Sequence, residues 1–358
     1  MRRQAATLAM ALTGLIGCTS GFDRNDQIVN SLRILGVSAH VDDPSGMGID
    51  WADADIGDTV HLRALVVDPA GLDTVTVTWL ACLQIPGQTQ PCTDEKYLRD
   101  PTEIMDLASD PSTGVLKLGA GVALDVQVPD LAPLDQQLQT RLMDAVKSPN
   151  AECALYIQVP LLVIAQDAGG AVFAAVKNLR LSPWKTIAQA NDPNHASYAY
   201  YIRNMNPTIT AFNLSPTGVT ACDGQPLATP CTADADCTSA GGTCANTGFC
   251  SGGNNVFPDG DQTICVATGQ PQSYYTCGLN GPQVDNPGDP PNVAEQPNVT
   301  WYMTGGALGA YAAPMNLSGG SVASRTFTHF TRPPGPFTIY GIVRDNRDGQ
   351  NWIAQDFQ

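Results

Sequence analysis

The sequence is poor in basic residues, and this shortage excludes one large class of partners. Its 358 residues contain 18 lysines and arginines against 34 acidic residues, which gives a formal net charge of −16. Acidity of this size repels phosphate backbones, so the composition argues against nucleic-acid binding. It also disfavours docking onto an anionic membrane surface and mainly serves solubility.

The motifs of common catalytic sites are also lacking. The sequence contains no HExxH zinc motif, phosphate-binding loop, dinucleotide fingerprint or Gly-x-Ser-x-Gly elbow. Paired carboxylates of a glycosidase need no local motif, but the few glutamates show no pattern that favours them. The alternation Val60-His61-Leu62 predicts that His61 lies on the solvent face of a strand, and His329 lies in a similar context. We therefore expect no catalytic residues and no enzyme.

The first apolar run is too short to cross a bilayer, which takes about 20 residues in a helix. It extends from Ala5 to Gly17 and follows the basic pair Arg2-Arg3, so it predicts a signal peptide over residues 1–17. The run ends in Leu15-Ile16-Gly17-Cys18. This sequence resembles the lipobox of bacterial lipoproteins, whose cysteine is acylated and becomes the first mature residue. An ordinary cleaved signal with an incidental cysteine is the alternative.

The resemblance to lipoproteins implies a covalent lipid on Cys18 and a bilayer as a permanent partner. Proteins of this class carry two or three acyl chains, and stable anchoring needs more than one. Thr19 and Ser20 follow the cysteine, with no Asp that would mark retention in an inner membrane. We expect an outer-membrane lipoprotein on the periplasmic face or the cell surface, with residues 18–30 as its tether.

The cysteine count fits an oxidising compartment. Removing Cys18 from the 11 cysteines leaves ten, an even number. The disulfide candidates are Cys82, Cys92 and Cys153 in the first half and Cys222, Cys231, Cys237, Cys244, Cys250, Cys265 and Cys277 in the second. Both sets are odd, so complete pairing requires at least one bridge between the halves. One free thiol in each half is the alternative.

The closely spaced cysteines from Cys231 to Cys250 favour disulfides over zinc. Their surroundings are Thr, Ala, Gly, Asp and Asn, which offer almost no apolar surface, so covalent links must hold the segment together. Structural zinc sites use cysteine pairs two to four residues apart, and no such pair or matching histidine occurs here. We expect no metal at this segment.

Alternating patterns predict β-strands through the first half. Residues 73–82 alternate Val75, Val77 and Trp79 with threonines, as in a half-buried antiparallel strand. Residues 31–41, 56–68 and 114–129 are also strand-rich, and residues 156–181 form a hairpin around Gly169-Gly170. One amphipathic helix is predicted over residues 134–147, since leucines recur at helical spacing and Pro149 follows.

The second half repeats this plan. Val299-Thr300-Trp301 echoes Val77-Thr78-Trp79, and the hairpin over residues 337–357 echoes the one at Gly169-Gly170. The predicted organisation is an all-β chain with two antiparallel β-sandwich domains. They span residues 31–182 and 207–358, with a linker at 183–206 and a Cys-rich insertion at 221–277.

This arrangement resembles the immunoglobulin-like modules of bacterial surface lipoproteins. The residues that carry the resemblance are the Trp in the third strand, the terminal hairpin and Gly57-Asp58-Thr59 before the second strand. In such a sandwich the strand ends at Cys82 and Cys153 are neighbours, which makes that pair plausible; Cys82–Cys92 is the rival. Resemblance to small secreted Cys-rich modules implies Cys231–Cys244 with Cys237–Cys250.

Two weaker patterns concern ligands. Asp50, Asp53, Asp55 and Asp58 form a candidate calcium cluster without EF-hand spacing. Turn-forming, solubilising aspartates are the alternative, there and at Asp345 with Asp348. Trp79 and Trp301 fit a core, whereas Trp51 and Trp352 are candidates for stacking on a sugar.

The sequence therefore favours a non-catalytic lipoprotein without a cofactor that serves adhesion, scaffolding or binding. Its protein or glycan partner is not identified by the sequence. The alternative is a carbohydrate-binding protein, with calcium as an optional cofactor, that acts on envelope or extracellular polysaccharide.

Overall fold

The computed structural model describes residues 27–358 apart from a set of gaps. The gaps are 84–89, 109, 130, 148–154, 190–201, 216–221, 223, 225, 230, 232–233, 241–242, 245–249, 252–256, 270–271, 275–276, 279–280, 283–292, 310–311 and 318–323. Cys18 and Cys153 thus lie outside the described residues, as do the signal peptide and most of the tether.

The strands between Arg33 and Leu181, which we call module 1, form a sandwich of two sheets. Its strands are β1 (Arg33–Val41), β2 (Asp53–Ala54), β3 (Thr59–Val67), β4 (Thr76–Cys82), β5 (Val115–Ala120), β6 (Ala123–Gln127), β7 (Ile157–Gln166) and β8 (Val172–Leu181). One sheet has the order β1-β3-β6 and the other β2-β8-β7-β4-β5. All pairings are antiparallel except the short parallel contact of β2 with β8. The alternating valines, leucines and Trp79 meet between the sheets, which explains the period of two in the sequence.

Four helices accompany these strands. They are α1 (Glu95–Arg99), α2 (Thr102–Leu107), α3 (Ala132–Lys147) and α4 (Trp184–Gln189). The predicted helix is α3, and Leu134 and Leu138 pack it against the sandwich core. The other three have five or six residues, too few for a periodic pattern. Single 3-10 turns occur at Pro91–Thr93, Pro111–Thr113 and Asp234–Ala240.

The strands between Ile209 and Phe357, which we call module 2, form a second sandwich. Its long strands are β9 (Ile209–Ser215), β12 (Asp261–Thr268), β17 (Asn298–Met303), β21 (Ser324–Thr331), β22 (Phe337–Arg344) and β23 (Gln350–Phe357). Its short strands are β10 (Thr243–Cys244), β11 (Cys250–Ser251), β13 (Ser273–Tyr274), β14 (Cys277–Gly278), β15 (Gly281–Pro282), β16 (Val293–Ala294), β18 (Ala307–Leu308), β19 (Ala312–Pro314) and β20 (Asn316–Leu317). The two main sheets have the orders β18-β21-β12-β9, with β20 also on β21, and β19-β17-β22-β23.

The main strands of the two modules follow the same plan. We count seven main strands in each module, namely β1, β3, β4, β5, β6, β7 and β8 in module 1 and β9, β12, β17, β19, β21, β22 and β23 in module 2. In each, the first, second and fifth of these strands form one sheet. The third and the last two strands form the other, extended by a strand next to the third. Each third strand carries a fully buried tryptophan, Trp79 or Trp301, a feature of immunoglobulin-like sandwiches. The predicted all-β fold class is confirmed.

Disulfides replace apolar packing where the sequence lacks it. The structure pairs Cys231 with Cys244 and Cys237 with Cys250, the connectivity that the resemblance implied. Three of these sulfurs lie within 4.8 Å of one another, but as bonded sulfurs they offer no thiolate to a metal. A loop of 13 residues closed by a disulfide stabilises the folded state by about 3 kcal/mol in the chain-entropy model.

The expected Cys82–Cys153 bridge is wrong. Cys82 bonds Cys92 instead, with Cα atoms 5.8 Å apart. The bridge closes the start of the segment that leads into α1 and α2. Both sulfurs are buried with Ile104 and Val115 on the outer face of the β4–β7 sheet. The sequence pattern does not predict this covering segment, which places Cys92 beside Cys82.

The end of the tether is not a free spacer. Residues 27–30 were assigned to it, yet Ile28 pairs with Met303 in a parallel bridge and Val29 is only 2% exposed. The apolar side chains of Ile28 and Val29 pack on a surface of module 2. The sequence pattern alone does not predict this contact.

Among the described residues, no helix combines the length and apolar character that a membrane crossing requires.

Disulfide mapping tests the predicted bridge between the halves. The structure pairs Cys222 with Cys265, and with the bridges above it uses eight of the ten cysteines other than Cys18. Cys153 and Cys277 remain, one in each half, so we expect them to bond. Peptide mapping of the unreduced protein should yield one linked pair that joins the modules. Free thiols at both positions would contradict the prediction.

Candidate functional site

The two modules meet at an apolar contact beside β1. Trp352, Tyr340 and Ile342 of module 2 are buried against Leu35 and Val67 of module 1. Burying side chains of this kind stabilises the contact by about 1.5–3 kcal/mol each. The predicted role of Trp352 as an exposed sugar platform is therefore wrong, since the ring is 9% exposed and lies inside this contact.

Gly36 permits the close approach of the modules. A Cβ atom at this position would lie 2.6 Å from Nε2 of Gln350 and 3.2 Å from the Trp352 ring. Arg344 of module 2 adds a hydrogen bond, donating from Nη2 to the carbonyl oxygen of Leu35 at 3.0 Å. A larger residue at 36 would require the Gln350 side chain and the Trp352 ring to move.

A layer of buried charge lies beside the apolar contact. Asp53 is fully buried, and its Oδ1 lies 3.2 Å from Nε of Arg180. Arg203, from the end of the linker, donates two hydrogen bonds to the Asp53 carbonyl oxygen. Burial raises the pKa of the Asp53 carboxyl, and the Arg180 guanidinium opposes that rise. These contacts tie the linker to module 1.

Arg347 connects this layer to module 2. It lies in the turn between β22 and β23, and its Nη1 donates to Glu295 Oε1 and Gln272 Oε1, both at 3.0 Å. Its carbonyl oxygen accepts from Arg180 Nη1 and Asn204 Nδ2. One residue therefore contacts module 1, the linker and the loops of module 2.

Asp345 shapes the same turn. Its Oδ1 accepts from the backbone N–H groups of Arg347 and Gly349, both at 2.7 Å. Its Oδ2 has no hydrogen-bond partner among the described residues, although the side chain is buried. Burial raises the pKa of this carboxyl. Gly349 leaves room for the carboxylate, because a Cβ there would collide with Oδ2.

A cavity of about 300 Å³ opens at this junction. It lies between the 48–50 loop of module 1, the linker end at Met205 and Asn206, and the loop ends of module 2. Three carboxylates, those of Asp50, Glu295 and Asp345, line it together with Thr208 and Gln272. The volume is at the lower end of the range for small-molecule sites.

The predicted calcium cluster is divided among protein donors. Asp50 Oδ1 accepts from Asn206 Nδ2 at 2.9 Å, and its Oδ2 lies 2.7 Å from His40 Nδ1. Asp55 accepts from the Lys185 backbone N–H, and Asp58 accepts from Trp184 Nε1.

No three of these carboxylates gather within 4.8 Å in the described part of the chain. A calcium ion bound by these aspartates would have to displace their hydrogen bonds to the linker. Calcium binding at this cluster stays a prediction.

The other tryptophan and histidine side chains that the sequence singled out have partners within the protein. Trp51 is half-buried, with the Arg203 guanidinium 4.6 Å from its ring centre, so it is not an open platform. His61 lies on a half-exposed face with Nδ1 2.7 Å from Asp125 Oδ1 and Nε2 3.2 Å from Asp42 Oδ1. His329 lies 3.1 Å from Thr263 Oγ1.

Sequence reasoning missed the arginines of the junction. Arg180, Arg203 and Arg347 are distant in the chain, and each is at most 9% exposed. Arg203 also stacks on Trp184, 4.1 Å from the ring centre, and that residue had drawn no prediction. One sequence feature could have indicated them. Basic residues are scarce in this acidic chain, with 18 in all, and three arginines lie near the linker and the last hairpin.

Comparison with known proteins adds little. No family model and no curated protein match the chain. Solved structures with weak similarity include latent PorU from Porphyromonas gingivalis, with 10% identity and a TM-score of 0.20. E. coli alpha-2-macroglobulin has 8% identity and a TM-score of 0.22. The C-terminal domain of the antigen I/II polypeptide BspA from Streptococcus agalactiae has 9% identity and a TM-score of 0.18.

The coverage is uneven as well. These comparisons cover 90%, 90% and 89% of this chain and 24%, 17% and 98% of the respective matched chains. The chain thus spans less than a quarter of the first two proteins. TM-scores near 0.2 carry no argument about function.

The junction should respond to pH through Glu295. Burial raises the pKa of Glu295 to about 7 from its ordinary value of 4.5, and the nearby Asp345 charge adds to the rise. A carboxyl whose pKa is higher in the folded chain stabilises the fold while protonated. That stabilisation is fully present below about 4.5 and is lost as the pH rises through about 7.

We therefore expect urea unfolding of the wild type to lose stability relative to Glu295→Gln between pH 5 and pH 8. The change should be a few kcal/mol at most, since one pKa unit corresponds to about 1.4 kcal/mol. The exposed Glu103→Gln is the matched control for loss of a carboxylate outside the junction. A constant difference between wild type and Glu295→Gln would contradict the prediction.

Proposed function

We propose that this protein is a non-catalytic lipoprotein of the cell envelope that displays two fixed β-sandwich modules for adhesion, scaffolding or binding. The observation that carries the proposal is the buried junction. Modules joined by a flexible linker move relative to one another by default. Here an apolar contact, three buried arginines and the linker end lie between them.

The charge layer favours one relative orientation of the modules. Breaking a buried ion pair by removing one partner typically costs 3–5 kcal/mol, since the other charge stays buried without compensation. Asp53–Arg180 in module 1 and Glu295–Arg347 in module 2 are pairs of this kind, with side chains at most 8% exposed. The hydrogen bond from Arg180 Nη1 to the Arg347 carbonyl oxygen joins the two pairs across the junction. A rigid pair of modules suits a protein that presents a binding surface, because the position of that surface relative to the membrane is then fixed.

The non-catalytic part of the proposal rests on what the buried groups do. Asp53, Asp55, Arg203 and Glu295 hold backbone or side-chain groups of another segment, and Asp345 holds its own turn, which are structural uses of charge. The envelope location rests on the lipobox at Cys18 and on the disulfides, which persist in oxidising compartments.

Substitution of Cys18 tests the anchor. In cells that export the protein, Cys18→Ala should move it from the detergent phase to the soluble fraction, because the thiol that accepts the lipid is gone. Since this variant can also retain its signal peptide, a second variant carries an ordinary cleavable signal in place of residues 1–18. Thr19→Ala is the matched control and should stay in the detergent phase. Membrane partitioning of the mature Cys18 variants would refute the anchor.

Carbohydrate binding is the second candidate, and the junction cavity is the observation that favours it. Carboxylates, a threonine hydroxyl and an amide line a volume that accommodates a small polyol. A glycan array with and without chelator tests this candidate, with Asp345→Asn as the variant. Hits that Asp345→Asn abolishes would support the cavity, and their loss with chelator would add calcium. An array with no hits leaves the display role as the supported function.

A further inference from the structure

Module 2 has two distinct ends, and the chain uses them differently. At the junction end, β9 and β17 begin and β12 and β22 end, next to the linker and the cavity. At the opposite end, β9 and β17 end and β12 and β22 begin. The pairs Met303↔Ile339 and Phe337↔Phe357 place β17, β22 and β23 at this second end. We call it the far end.

The described part of the tether, residues 27–30, begins at the far end. The Val29 backbone N–H donates to the Met303 carbonyl oxygen at 2.8 Å, and Ile28 bridges the same residue. Val29 is 2% exposed and Gln27 6%, while Ile28 packs on the module 2 core. The chain thus runs from the far end of module 2 along its sheet face before it enters β1 of module 1.

The distance between this point and residue 18 is limited. Nine residue steps separate Cys18 from Gln27, and an extended chain covers at most about 3.3–3.6 Å per step, or roughly 30 Å in all. A strand of nine residues has about the same length. A lipid on Cys18 must therefore lie within about one module length of the docked segment.

We propose that the far end of module 2 faces the bilayer and that module 1 is held away from it, so the C-terminal module is the membrane-proximal one. This orientation rests on the proposed lipid at Cys18. The order along the chain is reversed in space, because the docked tether carries the anchor past module 1. The surface that meets the far end is a lipid headgroup layer.

The orientation assigns places to the other elements. The segment between β9 and β12 leaves β9 at Ser215 and returns to β12 at Asp261, both at the far end. Of its described residues, Leu227 donates to the Phe212 carbonyl oxygen and therefore lies along β9. Helix α3 joins the end of β6 to the start of β7, which lie at the opposite end of module 1 from Arg33. That end of module 1 also carries Arg180 of the junction, so α3 lies on the junction side, away from the far end of module 2.

The charges at the far end favour uncharged over anionic headgroups. The Asp259 side chain is 98% exposed. Asp356 also lies at the far end, where its carboxylate accepts a hydrogen bond from the Thr338 hydroxyl. Arg332 is drawn into contacts with Asp259 and the Phe257 carbonyl. Acidic groups near an anionic surface are repelled within about a Debye length, about 10 Å at 0.1 M salt.

Energy transfer to labelled lipid tests the orientation. The full mature chain carries one genetically encoded fluorophore, either at Pro334 in the exposed turn of the far end or at Met143 on the exposed side of α3. In one arm, Cys18 is coupled to a maleimide lipid in phosphatidylcholine vesicles with a headgroup-labelled acceptor. In the other, the natively processed protein is reconstituted in the same vesicles.

Transfer efficiency should be at least twofold higher from Pro334 than from Met143 in the coupled arm. Equal or reversed efficiencies would overturn the orientation. If the coupled arm gives the expected result while the natively processed chain fails to enter vesicles, the lipid proposal fails and the orientation stands.

Two variants test the docked tether itself. Val29→Asp places a charge in the buried contact and should bring the two efficiencies together, whereas Ser31→Asp, at an exposed position, should not. Because Val29→Asp can unfold the chain, a second variant inserts 20 Gly and Ser residues between Cys18 and Gln27. This insertion leaves the contact intact and should also equalise the efficiencies. A difference that survives the insertion would overturn the role of the short tether.

Discussion

The contact of Arg347 with three separate segments is the constraint on which the molecular architecture depends. Its guanidinium binds Glu295 and Gln272 of module 2, and its carbonyl oxygen holds Arg180 of module 1 and Asn204 of the linker. Buried charges are tolerated only where other groups compensate them. The modules therefore have to keep the orientation in which these groups meet, and the cavity and the direction of the tether follow from it.

The acidic side chains have different roles at the surface and at the junction. Exposed aspartates such as Asp43 and Asp110 hold turns, where hydrogen bonds from neighbouring residues lower their pKa. At the junction, burial raises the pKa of Asp53, Asp345 and Glu295. Guanidinium groups and backbone amides compensate these buried acids. Local spacing in the sequence cannot distinguish the two uses, because burial is a property of the assembled modules.

Covalent and non-covalent stabilisation are divided along the chain. The sandwiches bury their own cores around Trp79 and Trp301, and their strands need no cross-link to pair. The stretch from Cys231 to Cys250 has almost no apolar side chains, and two disulfides connect it. In module 1, the Cys82–Cys92 bridge instead fixes the segment that covers the outer face of a sheet. These three of the four bridges thus serve two different purposes.

The sequence by itself determined the elements that depend on local pattern. Alternation of valine and threonine predicted the strands, leucine spacing predicted α3, and the repeated Val-Thr-Trp predicted two similar sandwiches, because side-chain periodicity follows from backbone geometry. Only the tertiary structure decided which face each module turns to the other. That choice buried Trp352, covered Trp51 with Arg203, distributed the aspartates from Asp50 to Asp58 among linker donors and docked Val29 on module 2. These contacts join residues up to about 300 positions apart, and no local pattern encodes them.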